Sequence, residues 1–189
     1  MRLMTPAEAA KRLRVSPITL RKWADAGLIQ ALVTVGGHRR YPVNEVERML
    51  ERQKIHRNRE LKVMIVDDDL MTVELLHDYL REASQPVLVE IARDGFDAGR
   101  KLVSFQPDVM LLDLMMPGLN GFDVCRRVKA NPASMVTRVI AMTSYPSEAN
   151  VQRILEEGAE ACLAKPLERE LLLEMLWRPG EQLGQLSAA

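Results

Sequence analysis

KVMIVDDDL, Lys62 to Leu70, sets an apolar run directly against three consecutive carboxylates. The run Val63 to Val66 has the length and character of a strand buried on both faces, and the aspartates mark its carboxyl end. Four more runs of the same kind follow: VLVEIA (87–92), VMLLD (109–113), RVIAMT (138–143) and ACLA (161–164). Segments of helical length and period separate them. Strands alternating with helices in this way predict an α/β domain with a parallel sheet covered on both faces. In such a sheet the ligand site lies beyond the carboxyl ends of the strands. Those ends carry Asp67-Asp68-Asp69, Asp113, Thr143-Ser144 and, just after the last strand, Lys165-Pro166. All of them should face one crevice.

Each residue type has a chemical use there. Asp68 and Asp113, aided by Asp67, offer the few hard oxygen ligands that Mg²⁺ takes while it keeps several waters and accepts a phosphate oxygen. The Asp113 carboxylate can itself attack phosphorus to form an acyl phosphate. Thr143 can donate a hydroxyl hydrogen bond to phosphoryl oxygens, and Lys165 supplies a compact positive charge. Phosphoryl transfer needs positioning and charge neutralisation more than elaborate covalent chemistry, so Mg²⁺ and Lys165 suffice. The opening carboxylates therefore read as a metal cradle.

These residues, with DLMMPGLNGFDV (113–124), ARDGFDAG (92–99) and GAEACLAKPL (158–167), resemble the response-regulator receiver domain over Leu61 to about Trp177. The resemblance implies a flavodoxin-like fold of five βα units with strand order 2-1-3-4-5. It also implies Asp113 as phosphoacceptor, Asp67 and Asp68 as the acidic pair, and the backbone carbonyl of Met115 as a metal ligand. Thr143 becomes the switch hydroxyl and Lys165 the phosphate partner. The sequence departs from the family in carrying Cys162 where a switch aromatic usually stands, three residues before the lysine. It also has Lys165-Pro166-Leu167 in place of Lys-Pro-Phe.

The charge balance points to a second module. Of the 26 Lys and Arg residues, 13 fall in Met1–Glu60, against six of the 26 Asp and Glu, so this part carries +7 and the rest −7. A basic module suited to a polyanion thus precedes an acidic one. TPAEAAKRL opens with Thr5 as N-cap, Pro6 at the first helical position and Glu8 completing a capping box, predicting a helix to about Arg14. VSPITLRKWADAG repeats the grammar, from Ser16 as cap to Gly27 as terminator. LIQALVTVGGHRRYP reads as a hairpin turning at Gly36-Gly37, and helical spacing resumes through Val46, Met49 and Leu50. Helix, helix, hairpin and helix are the parts of a winged helix-turn-helix. SPITLRKWADAGLI followed by GGHRRYP resembles the MerR-type form, especially its short excisionase-like branch, over about Met1 to Gln53. That resemblance assigns DNA contacts to Thr19, Arg21 and Lys22 on the second helix and to His38, Arg39 and Arg40 on the wing. Trp23 and Tyr41 read as core. Longer MerR proteins continue into a dimerising coiled coil, whereas the helix after the wing here lacks sustained heptads.

The expected organisation is a DNA-binding domain at 1–53, a basic helical linker at 54–60, a receiver at 61–178 and a flexible tail at 179–189. The expected function is that of a two-component response regulator, in which Mg²⁺-dependent phosphorylation of Asp113 controls DNA binding and transcription. Its expected partners are double-stranded DNA and a histidine kinase or phosphotransfer protein, and any homodimer should form through the receiver. Enzymatic activity should extend no further than its own phosphotransfer and dephosphorylation. Cys125 and Cys162, at no metal-ligand spacing, read as buried residues in a reducing compartment. With no apolar run near membrane-spanning length and no signal-peptide pattern, a cytoplasmic location without membrane partners is expected. One alternative makes the receiver a phosphorylation-independent docking or oligomerisation module. A minor one reads VDDDLMT as a haloacid-dehalogenase phosphatase motif, with Asp67 as nucleophile and Asp69 as acid/base; it leaves Asp113 without a role.

Overall fold

The computed structural model describes residues 2–13, 15–34, 36–57, 60–118 and 120–177. Arg14, residues 58 and 59 of the expected linker and the expected tail at 179–189 lie outside the described residues. The chain divides into two compact units, Met1–Arg59 and Glu60–Ala189.

In the first unit the capping grammar is realised in full. Thr5 N–H donates to Glu8 Oε2 at 2.7 Å and Glu8 N–H donates back to Thr5 Oγ1 at 3.3 Å, opening α1 (Pro6–Leu13). Ser16 Oγ accepts from Thr19 N–H at 3.0 Å to open α2 (Pro17–Asp25). Gly27, just past its end, takes a φ of +74° that side chains with a Cβ resist. One face of each helix is apolar: Ala9, Ala10 and Leu13 from α1 and Leu20 and Trp23 from α2 are buried. They share the unit's core with Tyr41 and with Val46 and Met49 of α3 (Val43–Arg57). The wing pairs β2 (Leu32–Val33) antiparallel to β3 (Arg39–Pro42). A further strand, β1 (Leu3–Met4), pairs with the other edge of β3. Two residues are too few to show a period, so this strand is invisible to sequence patterning.

The second unit is the expected α/β fold. Its strands are β4 (Leu61–Val66), β5 (Val87–Ala92), β6 (Val109–Asp113), β7 (Arg138–Thr143) and β8 (Ala161–Ala164), all paired in parallel in the order β5-β4-β6-β7-β8. Counted within this unit the order is 2-1-3-4-5. Side chains alternate between the two faces of each strand. Val63, Ile65, Val109 and Leu111 pack against α4 (Leu70–Arg81) and α8 (Arg169–Trp177). Met64, Val66, Met110 and Leu112 pack against α5 (Gly95–Phe105), α6 (Gly121–Ala130) and α7 (Glu148–Glu156). Each such side chain contributes roughly 1.5–3 kcal/mol by leaving water. The consequence for function is a rigid central trio, β4, β6 and β7, whose carboxyl ends open at one edge.

Candidate functional site

The polar residues at those ends converge. Asp67 follows Val66 of β4, and Asp113 follows Leu112 of β6, its register partner. Carboxylate oxygens of Asp67, Asp68 and Asp113 all lie within 4.8 Å of one another. Asp67 is fully buried, Asp113 nearly so, and Asp68 is exposed at the mouth. Lys165 is fixed by its own N–H, which donates to the carbonyl of Thr143 at 2.8 Å. From there its Nζ donates to Asp67 Oδ2 at 2.7 Å and lies 3.3 Å from Asp113 Oδ1.

Asp67 uses both oxygens within the protein, because Oδ1 accepts from Asp69 N–H at 3.0 Å. Burial nonetheless raises its pKa above the ordinary value, outweighing the hydrogen bonds from Lys165 and Asp69 that favour the charged form. Burial pulls Lys165 the other way, toward deprotonation, but the carboxylates of Asp67 and Asp113 outweigh it and hold the ammonium above its usual range. Asp113 Oδ1 is buried and accepts no hydrogen bond despite the nearby lysine. Three neighbouring carboxylates, of which the lysine meets two, with one buried oxygen that accepts no hydrogen bond, suit a hard divalent cation. Asp68 and Asp113 would hold it directly, with Asp67 beside them.

Thr143 is fully buried at the end of β7, and its Oγ1 accepts from Tyr145 N–H at 3.0 Å. A hydroxyl that accepts one bond still has a hydrogen to donate. Met115 lies in the loop after β6 with its side chain exposed. Asp69 stands apart from the cradle: its carboxylate caps α4, accepting from Met71 N–H, Thr72 N–H and the Thr72 hydroxyl. Those bonds, the hydroxyl's foremost, lower its pKa. A carboxylate committed to a helix cap is poorly placed as the acid/base of a phosphatase. Gly121 is a site residue the sequence reading passed over. A Cβ there would come within 2.3 Å of the Asp113 carbonyl oxygen and 2.7 Å of Leu114 Cα, so α6 can start against the back of Asp113 only as glycine. The signal was present in MMPGLNG, in a glycine following an N-capping asparagine, Asn120. Cys162, at the position of the family's aromatic, is buried in the core with its thiol pushed up to about 11 by desolvation.

In the first unit Arg21 and Lys22 are exposed on α2, and His38 is exposed on the wing. The Thr19 hydroxyl lies 2.9 Å from Ser16 Oγ, within the cap. Arg39 reaches across to Asp25 at the end of α2, at 2.6 Å, and Arg40 Nη1 donates to the Arg39 carbonyl at 2.9 Å. The wing is thereby tied to the second helix.

Comparison with known proteins agrees with this division. The family described as response regulator receiver domain matches residues 63–177, and the family described as helix-turn-helix domain matches residues 3–54. The transcriptional regulatory protein ResD of Bacillus subtilis is 34% identical over 117 residues, 61% of this chain and 47% of ResD. Protein PilG of Pseudomonas aeruginosa is 33% identical over 113 residues, 60% of this chain and 82% of PilG. A protein-glutamate methylesterase/glutaminase of Myxococcus xanthus is 35% identical over 65% of this chain, which spans 34% of that protein's length. Several curated relatives are thus much longer than the stretch they share with this chain. Among solved structures, the signal receiver domain of a DNA-binding response regulator (merR) from Colwellia psychrerythraea is 39% identical with a TM-score of 0.60, over 62% of this chain and 96% of that one. Vibrio cholerae CheY4 is 30% identical with a TM-score of 0.59, over 64% and 99%.

Proposed function

Because the chain belongs to the response regulator receiver family and carries a helix-turn-helix domain ahead of its receiver, we propose that phosphorylation of Asp113 in the presence of Mg²⁺ controls how the N-terminal domain binds DNA. The observation that carries this reading is the convergence of Asp67, Asp68, Asp113 and Lys165 at adjoining strand ends. An Asp113 carboxylate oxygen attacks phosphorus; a new P–O bond forms as the bond to the donor breaks, and the donor leaves with the electron pair. Lys165 neutralises charge on the transferred group, and Thr143 donates its hydroxyl hydrogen to a phosphoryl oxygen. A bound Mg²⁺ would offset the charge that gathers on the phosphoryl oxygens. The donor is a phosphohistidine of a kinase or phosphotransfer protein, and the output partner is double-stranded DNA, which suits the first unit's exposed Arg21 and Lys22. No helix among the described residues is long and apolar enough to cross a membrane.

The buried Cys162 favours a second reading, in which the receiver docks a partner without phosphorylation. One comparison separates the two: DNA binding by the whole chain with and without acetyl phosphate plus Mg²⁺. A change in affinity that Asp113→Asn abolishes supports phosphorylation control, whereas an unchanged affinity supports docking.

A further inference from the structure

One residue at the leading tip of α2 has no role in the reading above. Ile18, the second residue of the helix, is 68% exposed. A single exposed apolar residue means little by itself; its neighbours give it meaning. Ile18, Arg21, Lys22 and Asp25 follow the i, i+3, i+4, i+7 spacing of one helix face, and all four are exposed, while Leu20 and Trp23 on the other side are buried. The Ser16 and Thr19 hydroxyls of the first turn are hydrogen-bonded to each other at 2.9 Å, which uses one of their two hydrogens within the cap. Beside that pair, the hydrocarbon that this turn presents outward is the Ile18 side chain. Behind it stand two cations, and Asp25 at the far end of the face holds the wing's Arg39. A face that is apolar at its tip and cationic behind it fits a surface that is apolar at one point and anionic around it.

The major groove of DNA has that character. Its phosphates are anionic, and the apolar group that its base edges display is the 5-methyl of thymine. The first residues of the second helix are those that reach base edges in this docking geometry. We propose that Ile18 is a specificity residue that packs on a thymine 5-methyl group in the major groove. This rests on the reading of α2 as the helix that enters DNA.

The test deletes the methyl from either side. The full-length protein, with and without acetyl phosphate and Mg²⁺, selects duplexes from a library with a randomised centre. Each thymine of a selected duplex is then replaced singly by deoxyuridine, which removes only the 5-methyl. At one or a few positions this should weaken wild-type binding about fourfold, the worth of one buried carbon. At those positions Ile18→Ala should bind the thymine and uracil duplexes equally, and Ile18→Val should keep the discrimination. Because the side chain is exposed, both variants should melt with the wild type. Equal uracil sensitivity in wild type and Ile18→Ala, or none in the wild type, would overturn the inference while leaving DNA binding intact. A library that yields no bound duplex under either condition would remove the DNA-binding reading and this inference together.

Discussion

Lys165 donates its short hydrogen bond to the fully buried Asp67, at 2.7 Å, and stands 3.3 Å from Asp113. A single ammonium thus bridges two carboxylates, and the burial of Asp67 outweighs that help, as the raised pKa records. The folded state therefore holds the Asp67 proton to higher pH than the unfolded chain does. Stability falls as pH rises from the ordinary 3.8 through the raised folded value, and the penalty persists above it. In EDTA, Asp67→Asn should gain on the wild type as pH rises through that window and melt no lower at neutral pH. Added Mg²⁺ should raise the wild-type Tm more than the variant's. Thermal melts across pH check both; a variant that melts lower than wild type at neutral pH in EDTA would contradict this balance.

Gly121 and Gly99 should respond oppositely to the same substitution. A Cβ at Gly121 collides with the Asp113 backbone, whereas at Gly99 it meets nothing within 4 Å. Gly121→Ala should cost about 2 kcal/mol by overpacking and slow labelling of Asp113 by acetyl phosphate. Gly99→Ala, inside α5, should stabilise by up to about 1 kcal/mol and leave labelling unchanged. Denaturant titration with a labelling assay measures both.

The Asp25–Arg39 pair should shape the salt dependence of DNA binding. Asp25 cancels part of the charge that Arg39 could set against phosphate. Asp25→Asn should therefore steepen the slope of log affinity against log salt by about 1, and Arg40→Ala should flatten it by about 1. Arg39→Ala should change it less than Arg40→Ala. Titrations on a random duplex across salt read these slopes, and identical slopes for all four proteins would exclude the wing from the interface.

Both cysteines should be inert in the folded protein. Cys125 and Cys162 are buried and form no disulfide, and burial pushes the Cys162 thiol up to about 11. Since the thiolate is the reactive form, iodoacetamide at neutral pH should label neither until denaturant is added. Rapid native labelling of Cys162, read by mass spectrometry, would mean that this part of the core opens.

The five receiver strands were legible because apolar runs and charged strand ends carry their own pattern and punctuation, whereas their order in the sheet came only with the resemblance to the receiver family. The caps at Thr5 and Ser16 were equally plain. What escaped was set by contacts distant in sequence or too short for a period. β1 is two residues held by β3. Asp69 is indistinguishable from Asp67 and Asp68 in a run of three, and only the helix that begins beside it turns its carboxylate into a cap. The assignment of Arg39 to the DNA-contacting wing could not include its ion pair with Asp25, 14 residues away, and Gly121 reveals its purpose only against the back of Asp113.

Asp113 alone should receive the phosphoryl group. The direct measurement incubates the full chain with acetyl phosphate and Mg²⁺ and locates the added phosphate by mass spectrometry, in wild type, Asp113→Asn and Asp67→Asn. The expected result is one phosphate on Asp113, none in Asp113→Asn, no labelling when EDTA replaces Mg²⁺, and weaker labelling in Asp67→Asn. Phosphate that persists in Asp113→Asn, or that sits on Asp67, would rule out Asp113 as the sole acceptor.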